Sequence, residues 1–179
     1  MNIKLSFFTV FLIFLFAFSV ELAAQEPLPR QFRDLSLGMG LDDLKENLIS
    51  DSLFNFRGDR DVSFLPVREQ SLVETTGSTF IRRAFFQLRD GKVFIMAFSL
   101  NTQIIDHYSI FVQFQEKYGQ PTYLDPMTAI WETEETRIAI ERPLTVKYID
   151  KIVFDDILNE SGLRESDQVR LRQEFLNDF

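Results

Sequence analysis

Three features of the chain predict an α+β fold, a mainly antiparallel sheet with helices packed on one face. Two β-forming runs, Thr79 to Leu88 and Val93 to Leu100, are separated by Asp90-Gly91, a pair suited to the positive φ angles of a tight hairpin. A helical apolar pattern stops at Gly119 and Pro121, one residue able to take a left-handed cap and one unable to continue a helix. The later strand candidates are joined by short polar turns, which antiparallel neighbours permit and parallel ones do not. The order is helix, strands, helix, strands, helix.

Each element has its own signal. Residues 25–37, with Pro27 and Pro29, read as an extended leader, and residues 38–162 as the α+β domain. The first helix is expected from Gly40 to Ile49. Leu41, Leu44 and Leu48 share a face, while Asp42, Asp43 and Glu46 sit where the positive end of a helix favours acids. From Asp51 to Pro66, the apolar Phe54, Phe56, Phe64 and Leu65 flank a turn at Arg57 to Asp61. Leu72 to Thr75 is a short strand.

In the second hairpin strand Phe94, Met96, Phe98 and Leu100 fall on one face and Val93, Ile95 and Ala97 on the other. A strand apolar on both faces belongs at the centre of a sheet. The second helix is expected from Gln103 to Tyr118, with Ile104, Tyr108, Phe111, Val112 and Tyr118 on one face. Ala129 to Thr133 and Arg137 to Glu141 then flank a turn at Glu134-Glu135, and Leu144, Val146 and Tyr148 mark a further strand after Pro143. Val153 to Leu158 predicts a third helix ending near Gly162. Residues 163–179 read as a C-terminal helix capped by Ser166 and carrying Val169, Leu171, Phe175 and Leu176. The two halves form a loose repeat of helix followed by β-meander.

The first 24 residues have a different character. Lys4 precedes an almost wholly apolar run, Leu5 to Val20, and Glu21-Leu22-Ala23-Ala24 ends in small residues. This is the layout of a secretory signal peptide cut after Ala24. The alternative is an uncleaved anchor, but a spanning helix wants roughly 20 apolar residues and this run is shorter. The expected location is therefore the periplasm or the cell exterior, with no membrane span after cleavage.

The chain has no Cys. That excludes a lipidated N-terminal Cys, disulfides and thiolate metal sites. Of the 20 Phe, fourteen lie beyond residue 24, enough to furnish a core in a chain whose length suits one domain. The formal net charge is −8, which repels nucleic acid and anionic lipid and makes binding to either unexpected.

Leu37-Gly38-Met39-Gly40-Leu41-Asp42-Asp43-Leu44, Glu116-Lys117-Tyr118-Gly119-Gln120-Pro121 and the following Trp131-Glu132 carry a resemblance. Together they resemble uncharacterised bacterial exported proteins over about residues 35 to 155. More remotely, the helix-then-meander plan is similar to small envelope domains of the β-lactamase-inhibitor and outer-membrane-assembly-lipoprotein (SmpA/OmlA) type. The absent Cys departs from those lipoproteins. What the resemblance implies is contact between proteins rather than catalysis.

Several residues are candidates for function, each with a plain structural alternative. Arg57-Gly58-Asp59 has the composition of an adhesive loop, or is a turn whose charges pair locally. His107, the single His, has the chemistry of a base or metal ligand, or sits on the rim of the second helix. Glu132, Glu134, Glu135 and Glu141 crowd one hairpin but lack the Asp, Asn and Gly spacing of a Ca²⁺ loop. By alternation Arg82 shares a face with Phe80, Ala84 and Phe86, where it snorkels to the rim, pairs with an acid or binds an anion. Tyr118, Tyr123 and Trp131 surround the Gly119–Pro121 stop and are the candidate partner-binding residues. No nucleophile elbow, phosphate loop, dinucleotide fingerprint or zinc-protease motif is present, and no cofactor or metal is expected. The function these observations favour is a non-catalytic periplasmic or secreted module that binds another envelope protein. The alternatives are a carboxylate-based hydrolase of cell-wall glycan and a surface adhesin using Arg57 to Asp59.

Overall fold

The computed structural model describes residues 27–65 and 70–162. The signal segment 1–24 and the C-terminal helix expected over 163–179 lie outside the described residues. The fold is α+β with a mainly antiparallel sheet. A small hairpin of β1 (Gln31–Phe32) and β2 (Leu35–Ser36) precedes α1 (Leu41–Ser50). A 3-10 turn at Gly58–Asp61 leads into β3 (Val62–Phe64), β4 (Gln70–Thr76), β5 (Ile81–Arg89) and β6 (Lys92–Leu100). Then come α2 (His107–Tyr118), β7 (Tyr123–Leu124), β8 (Thr128–Glu132), β9 (Thr136–Glu141) and β10 (Thr145–Asp150). A third helix, α3, follows directly over residues 151–162.

The eight main strands run in the order β3-β4-β5-β6-β10-β9-β8-β7. Two antiparallel meanders therefore meet back to back, with β6 against β10 and Phe98 opposite Val146. The Asp90-Gly91 hairpin forms as expected, with φ of 52° and 71°, and β6 is central.

Residues of one parity build the core. Ala84, Phe86 and Leu88 on β5 stand beside Met96 and Phe98 on β6, then Val146 and Tyr148, Ile138 and Ile140, and Ala129 and Trp131 on the strands that follow. Leu44 and Leu48 of α1 close one half of this face, and Phe111 and Phe114 of α2 cover the other. Each large apolar side chain so buried contributes about 1.5–3 kcal/mol relative to exposure. The third helix contacts side chains of the opposite parity. Phe154 lies under the Arg137 guanidinium, and Glu160 holds Arg89 at 2.5 Å.

The structure corrects three expectations. Residues 27–37 are not an appended leader, because Leu28, Leu35 and Leu37 are buried in the core and Arg30 pairs with Asp150. The apolar residues between the prolines and Gly38 supplied that signal, and the two prolines obscured it. The second helix begins at His107, four residues later than the periodicity implies. Asn101 holds the preceding residues in a turn, its carbonyl accepting from the amides of Ile104 and Ile105. Asp106 caps the helix by accepting from the Ser109 amide at 2.9 Å. As a result Tyr108 points outward, and the half-buried face is Ile110, Phe111, Phe114 and Tyr118. Arg82 is not on the apolar face. A register shift between Ile81 and Arg83 breaks the alternation and leaves both arginines exposed.

Candidate functional site

The aromatic group around Gly119 divides into an inner and an outer part. Trp131 is fully buried. Its ring packs against Phe111 and Phe114 at centroid distances of 6.0 and 5.7 Å, and its indole N–H donates to the Gly119 carbonyl at 2.8 Å. The Gly119 backbone (φ 75°) turns that carbonyl toward the ring. Tyr118 stacks edge-on against Phe114 at 5.4 Å and is half-buried, and burial pushes its phenol above the ordinary range. These two residues anchor α2 to the sheet, Trp131 with no exposed surface and Tyr118 only partly covered.

Tyr123 is different. It is 53% exposed on β7, an outer strand of the sheet. Leu124 (60% exposed) and Met127 (59% exposed) follow it. Asp125 shapes the connection between β7 and β8. Its carboxylate accepts from the amides of Met127 at 2.6 Å and Thr128 at 2.7 Å, and from the Tyr123 hydroxyl at 2.9 Å. Those bonds, the Met127 amide first, hold the Asp125 carboxyl below the usual carboxylate range. The same contact raises the Tyr123 phenol.

Arg142 fastens this connection to the end of β9. Arg142 donates its backbone amide to the Met127 carbonyl and its guanidinium to the Pro126 carbonyl, both at 2.8 Å. The Arg142 charge also acts on His107. Tyr108, next to His107, is 73% exposed. Tyr123, Leu124 and Met127 crowd the β7 edge of the sheet; Tyr123 stands opposite Ile130 and Leu124 opposite Ala129, so their side chains leave opposite faces, and Tyr108 is exposed separately on the first turn of α2. Sequence reasoning found Tyr123 alone. Tyr108 was concealed because an apolar residue in a predicted helix reads as core, and Leu124 and Met127 because they fall between the predicted elements with no motif to mark them. The Asp125-Pro126 pair between Leu124 and Met127 was the available sign of a loop that displays its neighbours.

His107 is a structural residue of the first turn of α2. Its Nε2 is sealed from solvent with no hydrogen-bond partner, although the ring as a whole is only partly covered. Burial, aided by the Arg142 charge and opposed by Asp106, moves its pKa down and favours the neutral ring.

The Arg-Gly-Asp tripeptide is not a free loop tip. The Arg57 amide donates to Asp61 at 2.9 Å, and its guanidinium donates twice to the same carboxylate, at 2.9 and 2.6 Å. The Asp61 side chain is 1% exposed. Lys45 holds Asp59 at 2.8 Å, and Gly58 takes φ 76° to enter the 3-10 turn. Each charge of the tripeptide thus has a partner within the fold, although the Arg57 and Asp59 side chains remain largely exposed.

Two of the four glutamates of the β8–β9 hairpin, Glu132 and Glu141, are likewise engaged. Arg137 holds Glu132 at 2.5 Å and Lys151 holds it at 3.3 Å, while Lys147 holds Glu141 at 2.7 Å. Burial opposes the Glu132 charge, but its bonds to Arg137 and Lys151 outweigh burial and keep the carboxyl below its ordinary range. A general acid for glycoside cleavage needs the reverse displacement. Among the described residues, no group of three or more His, Asp or Glu side chains is placed to hold a metal ion. No helix of the described residues is long and apolar enough to cross a membrane.

A family model described as the TP0088 domain matches residues 30–160. No curated protein and no solved structure matches the chain.

Proposed function

The chain belongs to the TP0088 domain family, and on that premise we propose that it is a non-catalytic, exported module that holds another protein of the cell envelope. The observation that carries this reading is the run of Tyr123, Leu124 and Met127, each more than half exposed, along the β7 edge of the sheet and its connection to β8. Tyr and Met are enriched at the centres of protein interfaces, and apolar side chains grouped on a surface mark contact sites more often than single exposed ones do. Arg142, bonded to the same connection, supplies a cation, the other residue type favoured there. Two further observations agree. Glu132 and Glu141 of the β8–β9 hairpin are held in ion pairs, and Arg57 and Asp59 of the tripeptide each pair with a residue of the same fold.

The export part of the proposal rests on the first 24 residues and on the resemblance to bacterial exported proteins. The test is mild crosslinking in the protein's own cells, followed by native mass spectrometry of the purified product. A mature mass beginning at Gln25 with one specific protein attached supports the proposal. Attachment should be lost in Tyr123→Ser with Met127→Ser, and retained in a surface control such as Gln113→Ser. A free monomer from the envelope, or a partner retained by the double variant, refutes it.

A further inference from the structure

From the surroundings of the Arg-Gly-Asp turn we infer a second site, independent of the β7 edge, that binds a tetrahedral oxyanion of the phosphate or sulfate class. The 3-10 turn and strands β4 and β5 enclose a depression of about 290 Å³. This is at the small end of ligand sites and suits a single charged group rather than a large molecule. Three arginines line it, Arg57, Arg60 and Arg83, together with the acids Asp61 and Glu74, so its charged lining sums to +1 (three cations less two anions). Ser63 and Thr76 add a hydroxyl each.

Two features separate this arrangement from a chance cluster of surface charge. First, Arg57 is oriented from behind. Asp61, buried beneath it, takes the Arg57 Nε and one terminal nitrogen, which leaves the other terminal nitrogen for an outside acceptor while the Arg57 side chain stays largely exposed. A guanidinium fixed by a buried carboxylate loses little rotamer entropy on meeting a ligand. Second, the charge is unbalanced. Glu74 holds Arg83 at 3.1 Å and Asp61 holds Arg57, but among the described residues no acid is within ion-pair distance of Arg60. The depression therefore carries a net positive charge on a chain whose formal net charge is −8. A carboxylate presents two oxygens and is matched by one guanidinium fork. The unpaired Arg60, the free terminal nitrogen of Arg57, the remaining donors of Arg83 and two hydroxyls around one small space match a group with more acceptors, as phosphate and sulfate have.

The test uses the full mature chain, titrated with inorganic phosphate and separately with sodium sulfate at constant ionic strength. Binding is read from the backbone amide resonances of Arg57 to Ser63 and of Thr75 and Thr76. Saturable shifts confined to those amides are expected, with affinity weakened about tenfold or more in Arg60→Gln, the step that losing one charge-assisted contact produces. Arg60→Lys should retain part of the affinity. Arg60 is exposed, so both variants should fold, which unchanged melting temperatures verify.

A second arm distinguishes the source of the group. Cosedimentation with phosphatidylglycerol vesicles, lost in Arg60→Gln and competed by free phosphate, identifies a lipid headgroup. Saturable phosphate binding without cosedimentation identifies a soluble anion. Shifts that rise linearly with salt, that chloride reproduces, or that Arg60→Gln leaves unchanged overturn the inference.

Discussion

Replacing Trp131 and Tyr123 separately tests the division of the aromatic group. Trp131 is fully buried, touches Phe111 and Phe114, and satisfies the Gly119 carbonyl. Truncating a buried aromatic to alanine costs about 3–5 kcal/mol through lost transfer energy and the cavity left behind. A domain of this kind has about 5–15 kcal/mol of stability in total, so Trp131→Ala should stand close to unfolding. Trp131→Phe keeps a ring against Phe111 and Phe114 but removes the indole donor, a loss of about 1 kcal/mol for the hydrogen bond added to a smaller cavity. Tyr123→Ala removes a half-exposed ring and should change stability by no more than about 0.5 kcal/mol. Partner capture should respond in the opposite order, lost in Tyr123→Ala and retained in Trp131→Phe below its melting temperature. Urea unfolding followed by far-ultraviolet circular dichroism suits every variant, because Trp131 is the single Trp and its removal abolishes the fluorescence probe. A Trp131→Ala protein within about 1 kcal/mol of the parent, or one that loses its partner with an unchanged unfolding midpoint, would refute the assignment of Trp131 to the core.

Three other outcomes follow from the structure. At Gly77 an added Cβ would lie 2.5 Å from both the Cβ and the carbonyl oxygen of Ile81, so Gly77→Ala should destabilise by about 1–3 kcal/mol through overpacking, read as a lowered urea midpoint. Asp61→Ala removes the acceptor for three donors of Arg57. It should cost about 1–3 kcal/mol and quicken amide exchange across residues 57–61. For His107, burial first and Arg142 second depress the folded pKa, so below its ordinary value of about 6.5 the unfolded chain binds the proton more readily. Stability from this residue is therefore full above that pH and falls as the solution is acidified. The melting-temperature difference between the parent and His107→Gln should be constant above about pH 7.5 and shift against the parent on acidification. A pH-independent difference would mean that the ring titrates alike in both states.

The elements legible in the sequence are those whose signals are local. Asp90-Gly91 fixes the hairpin, Gly119-Gln120-Pro121 ends α2, and the doubly apolar run from Val93 marks the central strand, because each depends on backbone geometry or on burial of a whole segment. The meander pattern likewise foretold an antiparallel sheet. What escaped depends on distant partners. That Leu28, Leu35 and Leu37 enter the core is decided by the surface they meet across the sheet, and the extended chain around Pro27 and Pro29 gives no periodicity to reveal it. The start of α2 is set by Asn101 and Asp106 acting as turn and cap, whereas apolar spacing alone carried the pattern back to Ile104. At the site, the run from Tyr118 to Trp131 pointed to the right region without separating inside from outside. Trp131 alternates inward on β8, whereas Tyr123 belongs to a two-residue outer strand too short to show any alternation.

The two halves of the sheet are alike in plan and unlike in closure, and this difference favours a contact surface in the second. In the first half α1 buries Leu44 and Leu48 completely. In the second, α2 has no fully buried residue, although it carries Ile110, Phe111, Phe114 and Tyr118 along its inner side. Its first turn leaves Tyr108 in solvent, and the β7–β8 connection is fixed by hydrogen bonds from Arg142 and to Asp125. Polar groups that fix a loop while exposing its apolar side chains stabilise the fold no better than a closed core would. Covering Tyr123, Leu124 and Met127 is what the proposed partner would add. Among the described residues the first half exposes Ile49 at the C-terminal end of α1 and Phe64 on β3. On the proposed reading, the first meander is closed by its own helix, and the second is closed in part by its helix and completed by a partner.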